Sequence, residues 1–289
     1  VNGDGNIDII VKGNRKNPHV WGVLNVNNVT TFFKEIPDLV LKNASAVLTF
    51  DDQNAVFTTK KGLINGTQAS INGVCNLYGK FDFDVESKSQ ELGYLYNAIK
   101  SSTMIEEIKN MLPDLDVCKG LINLTLKVYG EVKDIEDLKF NQNFFTGGEL
   151  EFLGNTFGMQ GISVQNTRGK LLLDKTEANA DITSFIGGSK LSAKAVVKND
   201  TANVSVDIPK LNLNDITPNK NDLQKEMGNI LLNVKAGYKG NIKEIEYDKV
   251  NFVADILGTT PENKLKLSNG RISLKHNKLS VSNLHGALG

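Results

Sequence analysis

From Gly187 to Ile216 apolar side chains recur at every second position, and that period restricts the chain more than any other feature in it. Leu191, Ala193, Ala195 and Val197 are spaced by residues such as Ser192 and Lys194, and Val204, Val206 and Ile208 by Ser205 and Asp207. Side chains of an extended strand point alternately to opposite faces, so this spacing gives a strand one apolar and one wet face. Between the two runs lies Lys198-Asn199-Asp200-Thr201. Asn and Asp accept the left-handed region and bond their own backbone, which makes this a turn. The stretch predicts a hairpin closed at Pro209, which has no N–H for a ladder. Leu211 and Leu213 begin a further short alternation.

The same rhythm runs through the chain. Val1–Asp8 (VNGDGNID) sets Asn2, Asp4 and Asp8 around Gly5, in the manner of a dockerin or EF-hand calcium loop. Such a loop ends on a bidentate carboxylate, and Val11 stands there instead. Ile7, Ile9 and Val11 alternate, so the motif predicts a turn entering a strand. After Asn17-Pro18, Val20, Gly22, Leu24 and Val26 share a face, with Trp21, the only tryptophan, on the other. Thr30–Ile36 predicts a short helix capped by Thr30 or Thr31. Strands are predicted at Leu39–Phe50, Ala55–Thr59, Gln68–Leu77 and Lys80–Val85, with Lys60–Asn65 a loop.

Ser89–Leu112 breaks the pattern. Leu92, Tyr96, Ile99, Ile105, Ile108, Met111 and Leu112 recur at three- and four-residue steps. This predicts an amphipathic helix, or a broken pair, stopped by Pro113. It would pack over a sheet end, or serve as a cap or a membrane-contacting helix. Leu121–Val132 resumes the alternation, with Leu124, Leu126 and Val128 in phase. Short strands follow up to Ala178–Thr183. Asn221–Val234 predicts a helix start running into a strand. Ile242–Ile256 is a further strand, and Leu265–Leu288 holds three more around turns at Asn269-Gly270 and His276-Asn277-Lys278. There Leu265, Leu267, Ile272 and Leu274 supply the apolar face. The total is about sixteen to eighteen strands of about five to eight residues joined by hairpin-length turns. Laid side by side at ~4.8 Å they would reach roughly 75–85 Å. An open sheet of that size twists, curls or splits.

Composition narrows the function classes. Thirty-three basic and thirty-three acidic residues cancel. That predicts no nucleic-acid partner and no basic surface for anionic lipid. No apolar run approaches the length of a membrane-spanning helix. The polar start, without a signal peptide or initiator Met, leads us to expect an internal piece of a larger protein. Cys75 and Cys118 lack metal spacing and read as small apolar residues in sheets, or as a disulfide in an oxidising compartment. Sequons at Asn28, Asn43, Asn65, Asn123, Asn199 and Asn203 read as chance in an Asn-rich chain.

No catalytic constellation emerges. His19, His276 and His285 each sit beside a turn with no second ligand at metal spacing. There is no nucleophile elbow, phosphate loop or dinucleotide fingerprint. Asp51-Asp52 and the cluster Glu131, Asp134, Glu136, Asp137 fall at turns. The expectation is a protein that is not an enzyme and needs no cofactor or metal.

Several phrases resemble the AsmA-like and TamB-like family of bacterial envelope proteins. They are Val11–Val26 (VKGNRKNPHVWGVLNV), Leu63–Gly73 (LINGTQASING), Phe185–Ala193 (FIGGSKLSA), Asp207–Ile216, Leu267–Ile272 (LSNGRI) and Leu279–Gly286. The likeness runs across most of the chain, and the insert Ser89–Leu112 departs from it. The resemblance implies an all-β protein. Its long antiparallel meander would curl into an open, taco-like β-groove with one or two short amphipathic helices. Residues 1–289 would be one continuous groove segment and 89–112 a helical insertion or cap. It further implies a periplasmic location in the cell envelope, with an inner-membrane anchor outside this segment. The implied partners are phospholipid acyl chains, with the inner and outer membranes reached by other parts of the protein. The role would be phospholipid transport in support of outer-membrane assembly.

The physics fits that role. Carrying a diacyl lipid through water exposes about thirty methylenes at roughly 0.8 kcal/mol each, on the order of 20–25 kcal/mol. An apolar trough removes that barrier. Its candidate lining is Leu124, Leu126, Val128, Leu191, Ala193, Ala195, Val197, Val204, Val206, Ile208, Leu265, Leu267, Ile272 and Leu274. The same residues would equally fill the core of a structural or adhesive sandwich or solenoid that carries no lipid. A calcium- or carbohydrate-linked enzyme module would rest on Val1–Asp8 alone.

Overall fold

The computed structural model describes residues 2–33, 36–76, 79–102, 112–131, 145–216, 230–242, 244, 246–259 and 265–288. Strands occupy most of them. In chain order they are β1 (Asn2–Asn14), β2 (Asn17–Phe33), β3 (Ile36–Phe50), β4 (Asn54–Ile64), β5 (Thr67–Asn76) and β6 (Lys80–Glu91). After helix α1 (Leu92–Ser101) come β7 (Val117–Lys119), β8 (Leu121–Glu131), β9 (Phe145–Met159), β10 (Ile162–Asp174) and β11 (Glu177–Ile186). The series ends with β12 (Ser189–Lys198), β13 (Thr201–Asn212), β14 (Ile230–Asn241), β15 (Val250–Thr259), β16 (Leu265–Lys275) and β17 (Lys278–Leu288). The fold is all-β, with seventeen strands in one hydrogen-bonded sheet. Every strand register defined is antiparallel.

The chain divides into two compact units. The first comprises Val1–Pro113, Lys119–Glu151 and Leu173–Lys175, and the second Asp114–Cys118, Phe152–Leu172 and Thr176–Gly289. In the first unit, β1 through β6 pair in sequence order and β8 joins β6. In the second, β11 through β17 pair in sequence order.

Turn chemistry sets these registers. Asn199-Asp200 and His276-Asn277 have positive φ at both central positions, as does Asn65-Gly66. This is the type I′ geometry whose twist matches that of the flanking strands. The predicted turns at 198–201 and 276–278 are therefore present.

The strands are longer than their sequence signals. Where the alternation slips, the ladder absorbs an extra residue as a bulge and continues. Pro209 does not close β13: a bulge between Ile208 and Leu211 accommodates it, with Lys210 at φ 58°. Asn269-Gly270 is likewise a bulged stretch inside β16 and not a turn. Lys60–Ile64 belongs to β4 and not to a loop. Thr30–Phe33 and Ile36 are strand, not the short helix predicted there; the β-branched run Val29-Thr30-Thr31 favours extended backbone. Asn2–Asp8 holds no turn, because β1 is extended from Asn2.

The predicted helix at Ser89–Leu112 shortens at its start. Ser89–Glu91 finish β6, and the helix proper is Leu92–Ser101. Its first N–H is satisfied by the Gly120 carbonyl at 2.9 Å. Its far end is held by Tyr96 Oη on the Pro113 carbonyl (2.8 Å) and Lys100 Nζ on the Leu112 carbonyl (3.0 Å). The helix packs on β3 with Ala98 buried. Residues 103–111 lie outside the described residues, as do Leu138–Phe144 and the proposed helix start at 221–229.

Candidate functional site

In the second unit the registers assemble one continuous apolar face. One row across the strands is Ile182, Ala193, Val206, Ala236, Phe252, Leu274 and Leu279. A neighbouring row is Ala180, Ala195, Val204, Tyr238 and Val250, and a third joins Ile208, Val234, Ala254, Ile272 and Val281. The opposite face is wet. Its rows are Thr183, Ser192, Asp207, Lys235, Val253 and Ser273, then Asp181, Lys194, Ser205, Gly237 and Asn251. Ion pairs cross it between Lys194 and Asp181 (3.1 Å) and between Lys198 and Glu177 (3.7 Å). On the same face Arg271 Nε and Nη2 grip both Asp255 oxygens, at 2.5 and 3.2 Å. The hydrogen bond from Arg271 holds the Asp255 carboxyl below its ordinary value, and Asp255 raises Arg271.

The apolar face is closed most fully at one end, and Ala202 is buried again beyond the half-buried Val204. A core forms where Ile186, Ile208, Leu211, Ile230, Leu232, Val234, Ala254 and Ile256 are buried together, with Leu213 and Ile216 packed over them. Leu213 belongs to a single 3-10 turn, Leu213–Asp215, whose start is capped by Asn212 Oδ1 on the Asn214 N–H (3.1 Å). Away from this core, Ala193, Ala195, Val197 and Val204 are only half-buried.

Of the residues proposed from sequence, Ile208 therefore lies in the packed core, and Leu191, Val206, Leu267 and Ile272 lie against it. Ala193, Ala195, Val197, Val204 and Leu274 line the half-open part of the face. Leu265 pairs with Leu288 in the β16–β17 register. Sequence reasoning omitted Ala236, Phe252 and Val234, although each sits in an alternating run. The period was visible, but the partner strands were not.

The first unit repeats the design. Leu126 stands opposite Val85, which stands opposite Ile71. Val128, Phe83, Gly73, Phe57, Leu48, Leu24 and Ile7 make a row across seven strands. Leu124, Leu126 and Val128 are half-buried, while Thr125, Lys127 and Tyr129 between them are exposed. Ala44, Ala69, Ile122 and Ala98 are buried at one end, and Phe81 is buried towards the other.

A line of bulges marks that end in each unit. In the first, register shifts fall between Val26 and Val29, between Lys42 and Ser45, and between Ser87 and Gln90. Asn28, Asn43 and Ser89 carry the positive φ these shifts require. In the second, shifts at Ile208/Leu211, Leu231/Leu232 and Leu267/Asn269 fall on neighbouring strands. Bulges at similar height on adjacent strands bend each strand in the same place, which curves a sheet about a line.

Among the described residues no three metal-ligating side chains converge. His276 sits in its turn, and His285 Nδ1 is 2.9 Å from the Asn283 carbonyl. His19 contacts Asp52, which also accepts the Val20 N–H at 2.5 Å. The backbone bond from Val20, then His19, lowers the Asp52 carboxyl. Cys75 and Cys118 are half-buried and form no disulfide with each other. No described helix is long and apolar enough to cross a membrane.

No family model matches the chain, and no curated protein does. Among solved structures it is similar to a mutant of Rh. blastica porin, at 10% identity over 98% of this chain and 96% of that one. The TM-score of 0.18 is too low for that likeness to carry an argument about fold or function.

Proposed function

We propose that the two-faced meander is a lipid-carrying surface of the AsmA-like and TamB-like kind, with phospholipid acyl chains lying on its half-open apolar rows. The observation that carries this reading is the pairing of Ala193, Val206, Ala236, Phe252 and Leu274 into one row, left half-covered, with charged rows behind it. A protein that only needed a core would close this face as fully as it closes the one around Ile208 and Ile256. Small residues at 193, 195 and 236 keep the row shallow, which suits a flexible chain and not a bulky ring system. The role in the envelope follows the same reading: acyl chains slide along the apolar face while headgroups stay in water, moving phospholipid between membranes in support of outer-membrane assembly.

Site-specific photocrosslinking tests it. A photoreactive residue at Val204 is expected to capture phospholipid in cells, and the same group at Ser205, on the wet face, is not. Equal capture at both, or at neither, overturns the proposal in favour of a structural or adhesive role.

A further inference from the structure

We propose that the tip of the β1–β2 hairpin docks on an anionic membrane surface. Lys12, Arg15 and Lys16 are exposed there. The turn is held rigid by Asn14 Oδ1, which accepts the N–H groups of Lys16 and Asn17 at 3.0 Å each. The nearby acids, Asp51 and Asp52, are engaged by backbone. Asp51 Oδ1 accepts the Gln53 and Asn54 N–H groups at 2.8 Å, and Asp52 takes Val20 and His19. Neither Arg15 nor Lys16 forms an ion pair among the described residues. Accepting N–H groups does not remove a carboxylate's charge, so the tip sets the three cations Lys12, Arg15 and Lys16 against Asp51 and Asp52, an excess of one.

The apolar half of the surface lies beside the charges. Trp21 is 40% exposed, with His19 stacked at 5.9 Å and Lys12 Nζ 6.0 Å from its ring. Directly opposite Trp21 is Ile10, 58% exposed on the same face. A tryptophan flanked by lysine and an aliphatic side chain matches the bilayer interface, where the ring sits at headgroup level and cations meet anionic lipid. An acidic protein surface would satisfy the cations and leave Trp21 and Ile10 in water. This inference is independent of whether the apolar rows carry lipid.

Trp21 is the only tryptophan in the chain, so its fluorescence reports on this tip alone. The experiment combines vesicle co-flotation with tryptophan emission. It uses phosphatidylcholine vesicles with and without phosphatidylglycerol, at low salt and at about 0.5 M, where charges are screened beyond a few ångströms. The expected result is flotation and a blue shift with the anionic vesicles only, both lost at high salt. Arg15→Glu/Lys16→Glu should weaken flotation at least tenfold with an unchanged circular dichroism spectrum and melting temperature. No flotation with anionic vesicles, or flotation without a blue shift, overturns the proposal, as does flotation that survives this variant but fails in Lys275→Glu/Lys278→Glu. Equal binding to the acidic polymer heparin with the same blue shift would assign the tip to polyanions in general and overturn the membrane assignment.

Discussion

The ring of Phe50 lies over Gly22 on the adjacent strand, so closely that a Cβ at Gly22 would overlap Phe50 Cζ. That Cβ would also stand 2.8 Å from the Asp8 carbonyl on the other side. The glycine lets an aromatic ring cover the apolar face at that point. Gly22→Ala is expected to destabilise the first unit by about 1–3 kcal/mol through overpacking. Gly22→Ala/Phe50→Leu should recover part of the loss. Urea unfolding of the single and double variants measures both.

The packed core and the half-buried rows of the apolar face should respond differently to truncation. Ile256→Ala removes a buried side chain from the core around Ile208 and should cost about 2–5 kcal/mol. Val204→Ala, on the half-buried row, should cost less, about 1–2 kcal/mol, because part of its side chain stays in contact with water after folding. Equal costs would mean that the row is packed as tightly as the core.

The bulge line makes a prediction about backbone conformation. Asn43 has φ 50° at the β3–β4 register shift. Asn43→Val forces a β-branched residue into the left-handed region and should cost about 1–2 kcal/mol or more. Asn43→Gly should be neutral within about 0.5 kcal/mol, because glycine adopts that conformation freely. Thermal melts of the two variants separate a conformational effect from a loss of side-chain contacts.

Acid should weaken the fold through two named carboxylates. Asp52 and Asp255 both lie below the ordinary value of 3.8, the first held by the Val20 N–H and His19, the second by Arg271. A depressed carboxyl adds stability that is present above its unfolded value and is lost as pH falls through its folded value. The urea midpoint should therefore decline below about pH 4. Asp52→Asn and Asp255→Asn should each flatten that decline, and a midpoint with unchanged acid slope in both would contradict it.

Much of this fold is legible from the period-two pattern. The hairpin Leu191–Ile208 and the turn at Asn199-Asp200 follow from alternation and from residues that tolerate positive φ. What sequence left illegible is where a ladder continues through an irregularity. Pro209, Asn269-Gly270 and the 60–64 stretch each carry end-of-strand chemistry, yet bulges carry the pairing past them. Local composition marks a departure from alternation and leaves open whether the chain turns back or absorbs a residue. The apolar face was legible one strand at a time. That Ala193 meets Val206, and Val206 meets Ala236, depends on registers set by loops outside each run. The closure of the face around Ile208 is completed by Leu213 and Ile216 packing against it, which no periodicity signals.

The most direct measurement for the central claim is lipid extraction. The protein, purified without detergent, is analysed by mass spectrometry for bound lipid beside a soluble β-sandwich of similar size. Stoichiometric phospholipid, lost in Ala193→Asp and Val206→Asp variants that keep their circular dichroism and melting transition, is the result predicted. A folded protein free of lipid, or one whose lipid survives both substitutions, would contradict the account and make the apolar rows part of a purely structural sheet.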